Sequence, residues 1–69
     1  MTKRRDVVRA LLAAGFVSEG GTNHERFVHG DGRWTMVPRH REVCESTVRM
    51  IERQAGVSVI RVVDGGRGL

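Results

Sequence analysis

The sequence holds one cysteine, one proline, no tyrosine and only three aromatic residues in 69. The lone cysteine, Cys44, excludes an internal disulfide, so small size is not offset by cross-linking, and a cytoplasmic protein is the simpler reading. No apolar run approaches the roughly 18–20 residues that a membrane span needs. The opening MTKRRDVVRALLAAG has a superficial likeness to a signal peptide. Arg9 breaks its apolar stretch, however, and the spacing is helical, so it reads as a first helix. Internal repeats are absent. Ligand spacing is also lacking: His24, His29 and His40 stand five and eleven residues apart with no paired carboxylates. That is a poor metal set, and neither a metal nor another cofactor is expected. Gly30-Asp31-Gly32 is not followed by Gly-Lys-Ser/Thr, which excludes a phosphate-binding P-loop.

Acidic residues are the minority. Eight Asp and Glu face twelve Lys and Arg, for a net charge of +4, and eleven of the twelve are arginine. Arginine is the better side chain for bidentate phosphate contacts, so an anionic partner is indicated, with nucleic acid first. A basic protein drawn from an arginine-rich proteome would show the same totals. The length allows one domain with a thin core, assigned here to residues 1–64, ahead of a Gly-rich tail at 65–69.

Thr2 can cap a helix running to about Ala14. Val7, Val8, Leu11 and Leu12 form its apolar stripe, Arg4, Arg5 and Arg9 lie away from the stripe's centre, and Gly15 is the stop. Phe16–Glu19 is a short strand. His24–His29 and Arg33–Val37 then flank Gly30-Asp31-Gly32 as a β-hairpin. Phe27 with Trp34 or Met36 is the expected cross-strand core pair, although Trp34 could instead stack a base. Pro38 ends the hairpin, and Arg39-His40-Arg41 makes a compact basic loop. Glu45 or Ser46 opens a second helix to about Ala55, with Val48, Ile51 and Ala55 buried and Gly56 as its stop. Cys44 is expected to be a small buried residue at the start of that helix. The β-branched run Val57–Val63 reads as an additional strand.

The predicted fold is therefore α+β, in the α-β-β-β-α order of a double-stranded-RNA-binding domain. Two helices would cover one face of a three-stranded antiparallel sheet. By that analogy RNA is a better expectation than DNA.

Laid out this way, the chain resembles the HicA toxins of type II toxin–antitoxin systems from its first helix to Val57. The pieces that carry the likeness are Gly15-Phe16, Gly21-Thr22-Asn23-His24, Asp31-Gly32-Arg33, Met36-Val37-Pro38-Arg39-His40 and Ile51-Glu52-Arg53-Gln54-Ala55-Gly56. The resemblance implies a small ribonuclease that cleaves mRNA and a HicB-like antitoxin that masks its active surface, the toxin being a monomer or part of a hetero-oligomer with that antitoxin. It also places the catalytic histidine at His24. Many members carry a second histidine beside the first, where this chain has Asn23 and Glu25.

The chemistry is within reach of these residues. RNA brings its own nucleophile, the 2′-hydroxyl, so an enzyme need only move a proton and neutralise charge on the phosphorus. Imidazole suits the first task and guanidinium the second. His24 is thus the candidate general acid or base. Arg26, Arg33, Arg39, His40 and Arg41 are candidate RNA contacts, together with Thr22 and Asn23 of the loop. His29 borders the turn and reads as a turn residue. The alternative function is a non-catalytic module on the same scaffold that binds RNA or a protein, for example a phage or mobile-element protein acting on a host factor.

Overall fold

In the computed structural model, residues 1–59 are described. The elements run in the order β1 (Thr2–Lys3), α1 (Arg4–Ala13), β2 (Val17–Gly20), β3 (His24–Val28), β4 (Trp34–Pro38), β5 (Glu42–Val43) and α2 (Glu45–Ala55). Strands β2, β3 and β4 form an antiparallel sheet in sequence order, with β3 in the middle. The expected α-β-β-β-α framework is present, and a two-stranded ladder of β1 with β5 is added to it.

That small ladder changes how α1 begins. Thr2 does not cap the helix; it pairs with Val43, and Lys3 occupies the N-cap position without a side-chain cap bond. The Arg4 N–H, one of the donors a helix start leaves free, instead bonds the Arg41 carbonyl at 2.8 Å. The apolar stripe of α1 is also narrower than predicted. Val7 and Leu11 are fully buried, whereas Leu12 is 53% exposed.

The hairpin turn works through one glycine. Gly32 N–H bonds the His29 carbonyl, His29 N–H bonds the Arg33 carbonyl, and only Gly32 of the two turn glycines has positive φ. This is a three-residue connection in which a tight turn ends on a left-handed residue. The register sets Phe27 opposite Thr35, not opposite Trp34 or Met36. Phe27, Thr35 and Val37 face the helices, so Trp34 and Met36 project from the open face, 47% and 39% exposed. The predicted core pairing fails because two strands of alternating character leave the choice of face open, and the buried one proved to be Thr35 with Val37. The Thr35 hydroxyl is reconciled with burial by donating to Gln54 Oε1 at 2.8 Å.

Val7, Leu11, Phe16, Phe27, Val37, Val43, Val48, Ile51, Ala55 and Val59 make the core. At the end of α2, Gly56 has φ 71° and sends its N–H to the Glu52 carbonyl at 2.8 Å. A Cβ there would stand 2.9 Å from an Arg33 guanidinium nitrogen, a side-chain end that can move aside, so it is the left-handed backbone conformation that selects glycine. The strand expected from Val57 is not formed over Val57–Val59. Val59 is buried instead, and its N–H is held by the Glu52 carboxylate at 2.6 Å. The remainder of that run, and the tail at 65–69, lie outside the described residues.

Candidate active site

The loop before β3 is built around a close backbone approach. Gly21 has φ 130°, and a Cβ on it would overlap the His24 carbonyl oxygen. Only glycine allows the chain to fold back so tightly onto the residue that opens β3. Arg39 clamps the loop from outside. Its Nε donates to the Gly21 carbonyl at 2.9 Å, and its backbone N–H bonds the Asn23 carbonyl at 3.2 Å. Thr22, Asn23 and His24 are left exposed on this braced turn.

His24 pairs with Pro38 across the ladder and shares the open sheet face with Arg26. It stands at the lip of a groove of about 380 Å³. Trp34, Met36 and Pro38 of β4 line one wall, and Thr47, Met50 and Gln54 of α2 line the other. The groove is apolar for its size, with Trp34 and Met50 each 47% exposed. The Arg26 guanidinium lies 4.6 Å from the Trp34 ring centroid and is paired with Glu19 at 3.2 Å. A β-bulge between Ser18 and Gly20 adds Glu19 to the β2 side of this pair.

Glu25, on the opposite face from His24, points to the helices. Its carboxylate takes the Arg4 guanidinium and the Ser18 hydroxyl, and Arg39 Nη1 lies 3.7 Å away. The Ser18 bond, then Arg4, hold its carboxyl below the usual glutamate range against the opposing effect of burial. Arg4 also donates from Nε to the Pro38 carbonyl at 3.0 Å. Four chain segments therefore meet at one carboxylate: the start of α1, β2 through Ser18, the His24 strand and the loop after β4 through Arg39. Arg4 is accordingly half-buried and engaged, not part of a freely solvated face.

Arg39 and Arg41 join Lys3, Arg4 and Arg5 around a second concavity of about 530 Å³. His40, between the two loop arginines, is exposed. Arg33 is set apart from this group, at the turn end of the hairpin. It bonds Asp31 at 2.8 Å and the Ala55 carbonyl at 2.5 Å, and it lies 5.3 Å from the centroid of the Phe16 ring. The Arg33 N–H and then its side chain keep the Asp31 carboxyl below its ordinary range. His29 packs edge-on against Phe16 and accepts the Asp31 N–H at Nδ1.

Cys44 is exposed, contrary to the expected burial, because it is the N-cap residue of α2 and lies on the surface as caps do. Hydrogen bonds with the Thr47 and then the Ser46 hydroxyl lower its thiol's pKa. Among the described residues, no three His, Cys, Asp or Glu side chains converge as a metal would require. No described helix is long and apolar enough to cross a membrane.

The structure thus sets Thr22, Asn23 and His24 on one turn held from outside by Arg39, puts Arg26 on the same sheet face as His24, and leaves Arg33 remote. It adds residues that sequence reasoning missed: Glu25 as organiser, Arg4 and Arg5 beside the Arg39–Arg41 loop, and Met50 and Gln54 in the groove wall. Unlike charges at positions 4 and 25 were visible, but no spacing rule connects residues 21 apart.

No curated protein matches the chain at a significant level. The family model described as HicA toxin of bacterial toxin-antitoxin matches residues 4–57, which takes in both helices, the three-stranded sheet, the His24 loop and most of the described structure. With well over half of its length matched, the chain belongs to the HicA family of toxins.

Proposed function

We propose that this toxin is a metal-independent endoribonuclease of the cytoplasm that cleaves mRNA, with His24 as its general acid or base and a HicB-like antitoxin as its partner. The observation that carries the proposal is His24 itself. It is exposed at the lip of a groove, on a loop braced by Arg39 and by the Gly21 backbone. In the reaction the 2′-oxygen bonds to phosphorus as the P–O5′ bond breaks. A 2′,3′-cyclic phosphate and a 5′-hydroxyl result. His24 serves one of the two proton transfers, removing the 2′-hydroxyl proton or supplying one to the 5′-oxygen, and such a transfer typically contributes about 10²–10⁴-fold. Arg39 and His40 stand on the adjoining loop to meet the phosphate charge. Bases of the strand fit the groove at Trp34, with the Arg26 plane beside it. An antitoxin laid over this open sheet face would cover His24 and the groove together.

Tightly induced expression of the wild type and of His24→Ala tests the reading, with growth and bulk mRNA followed in each. Arrest and mRNA loss in the wild type alone are expected, and purified protein should cut RNA in the presence of a chelator. Intact mRNA from soluble wild type would leave a binding module on a nuclease scaffold. Equal toxicity of the two proteins would remove His24 from the chemistry.

A further inference from the structure

The second concavity, formed where the start of α1 faces the loop of residues 39–41, has no part in the proton chemistry. Lys3, Arg4, Arg5, Arg39 and Arg41 surround it. Glu25 is the carboxylate that pairs with this group, and it engages only Arg4 and Arg39. Lys3, Arg5 and Arg41 are exposed and make no ion pair among the described residues. Glu42 sits across from Lys3 in the β1–β5 ladder without forming one. Gathering like charges in this way costs free energy. The cost is raised by the position, since three of the five stand at the positive end of α1. The fold holds them there through the Arg4–Glu25 pair and the bond from the Arg4 N–H to the Arg41 carbonyl. A bound polyanion would relieve the repulsion that the free protein retains.

The cleft is also joined to the His24 loop. Arg39 belongs to both: it lines the cleft and bonds the carbonyls of Gly21 and Asn23. On its far side the basic surface continues over α1, where Arg4, Arg5 and Arg9 edge a further hollow with Val8 and Leu12. An extended chain of phosphates matches this shape better than a single anion does. Resting on the ribonuclease reading above, we propose that the cleft is a phosphate track. It holds the RNA backbone that flanks the scissile bond, with Lys3, Arg5 and Arg41 as the cations that displace its counterions.

The test uses a labelled 2′-O-methyl RNA oligonucleotide, which lacks the nucleophile and is bound without being cut. Binding is measured over a salt series for the wild type, an Arg5→Ala/Arg41→Ala double variant and an Arg49→Ala/Arg53→Ala control that removes two cations from α2. The slope of log affinity against log salt should fall by about 0.7 for each phosphate that is no longer neutralised, so by roughly 1.4 in the first variant, with little change in the control. Two results would overturn the track: an unchanged slope in the first variant, or equal reductions in both. A cleft that ignores the oligonucleotide but binds an acidic peptide, with that binding abolished in the first variant, would belong to a protein partner and would also overturn it. His24→Ala, run in parallel, keeps the two proposals distinct. It should bind with the wild-type slope while failing to cut unmodified RNA. If it still cuts while the Arg5/Arg41 variant has a reduced slope, the catalytic assignment fails and the track stands.

Discussion

Glu25 on β3 and Arg4 at the first position of α1 form an ion pair that ties the strand carrying His24 to the helix opposite. The two side chains are only 16% and 22% exposed, so solvent screens them less than a surface pair. Glu25 follows His24 directly along β3. Its carboxylate faces away from the open sheet surface, so it does not confront a phosphate bound at His24. It acts on the site indirectly, by holding Arg4 and Arg39.

A pH dependence follows from that pair. The Glu25 carboxyl titrates below its unfolded counterpart in the folded protein. Its contribution to stability is therefore complete above the unfolded value of about 4.3 and is lost as pH falls through the lower, folded one. Glu25→Gln should cost about 1–3 kcal/mol near neutrality, because Arg4 loses its charged partner. The variant should also flatten the acid limb of the stability curve. Urea midpoints taken from about pH 7 down to about pH 3 check both effects. Parallel curves for the two proteins would mean that the pair contributes nothing to acid sensitivity.

Gly21, at the start of the His24 loop, gives a sharper case. Gly21→Ala places a methyl group against the His24 carbonyl and forces a strained φ on a residue with a side chain. The loop is exposed and contributes no core side chain, so the fold should survive while His24 is displaced. A shift of about 1 Å at a reacting group can cost roughly 10²-fold in rate. RNA cleavage by the variant should fall on that scale, with its far-ultraviolet circular dichroism unchanged. Wild-type cleavage would show that the loop conformation does not set the geometry of catalysis.

Local patterns carried much of this fold in the sequence. Gly15 and Gly56 marked the helix ends, Gly30-Asp31-Gly32 the hairpin, and Val48, Ile51 and Ala55 the buried face of α2, because each depends on neighbours within a turn or two. The short motif at Gly21-Thr22-Asn23-His24 likewise pointed to the candidate site. What stayed hidden was decided by distant contacts. The β1–β5 ladder took Thr2 away from its cap, since Val43 lies 41 residues further along the chain. Which face of β4 would be buried depended on where the helices landed. The meeting of Arg4 with Glu25, and of Arg5 with Arg41, is a product of the closed fold that no periodicity encodes.

Trp34 and Phe27 make the last of these distinctions measurable. Phe27 is fully buried, and Trp34, on the opposite face of the sheet, is half-exposed in the groove that His24 edges. Phe27→Ala should cost about 3–5 kcal/mol, a large share of what a small domain has, and should leave the protein largely unfolded. Trp34→Ala empties no core site and should melt within a few degrees of the wild type. Its effect should appear in binding instead. Removing an aromatic that stacks one base costs about 1–3 kcal/mol, or roughly five- to more than a hundred-fold in affinity for the 2′-O-methyl oligonucleotide. Because Trp34 is the only tryptophan, its fluorescence in the wild type reports the same event directly. Quenching that saturates with oligonucleotide would place a base against the indole. Unaltered fluorescence, together with wild-type affinity in Trp34→Ala, would take the groove off the RNA path.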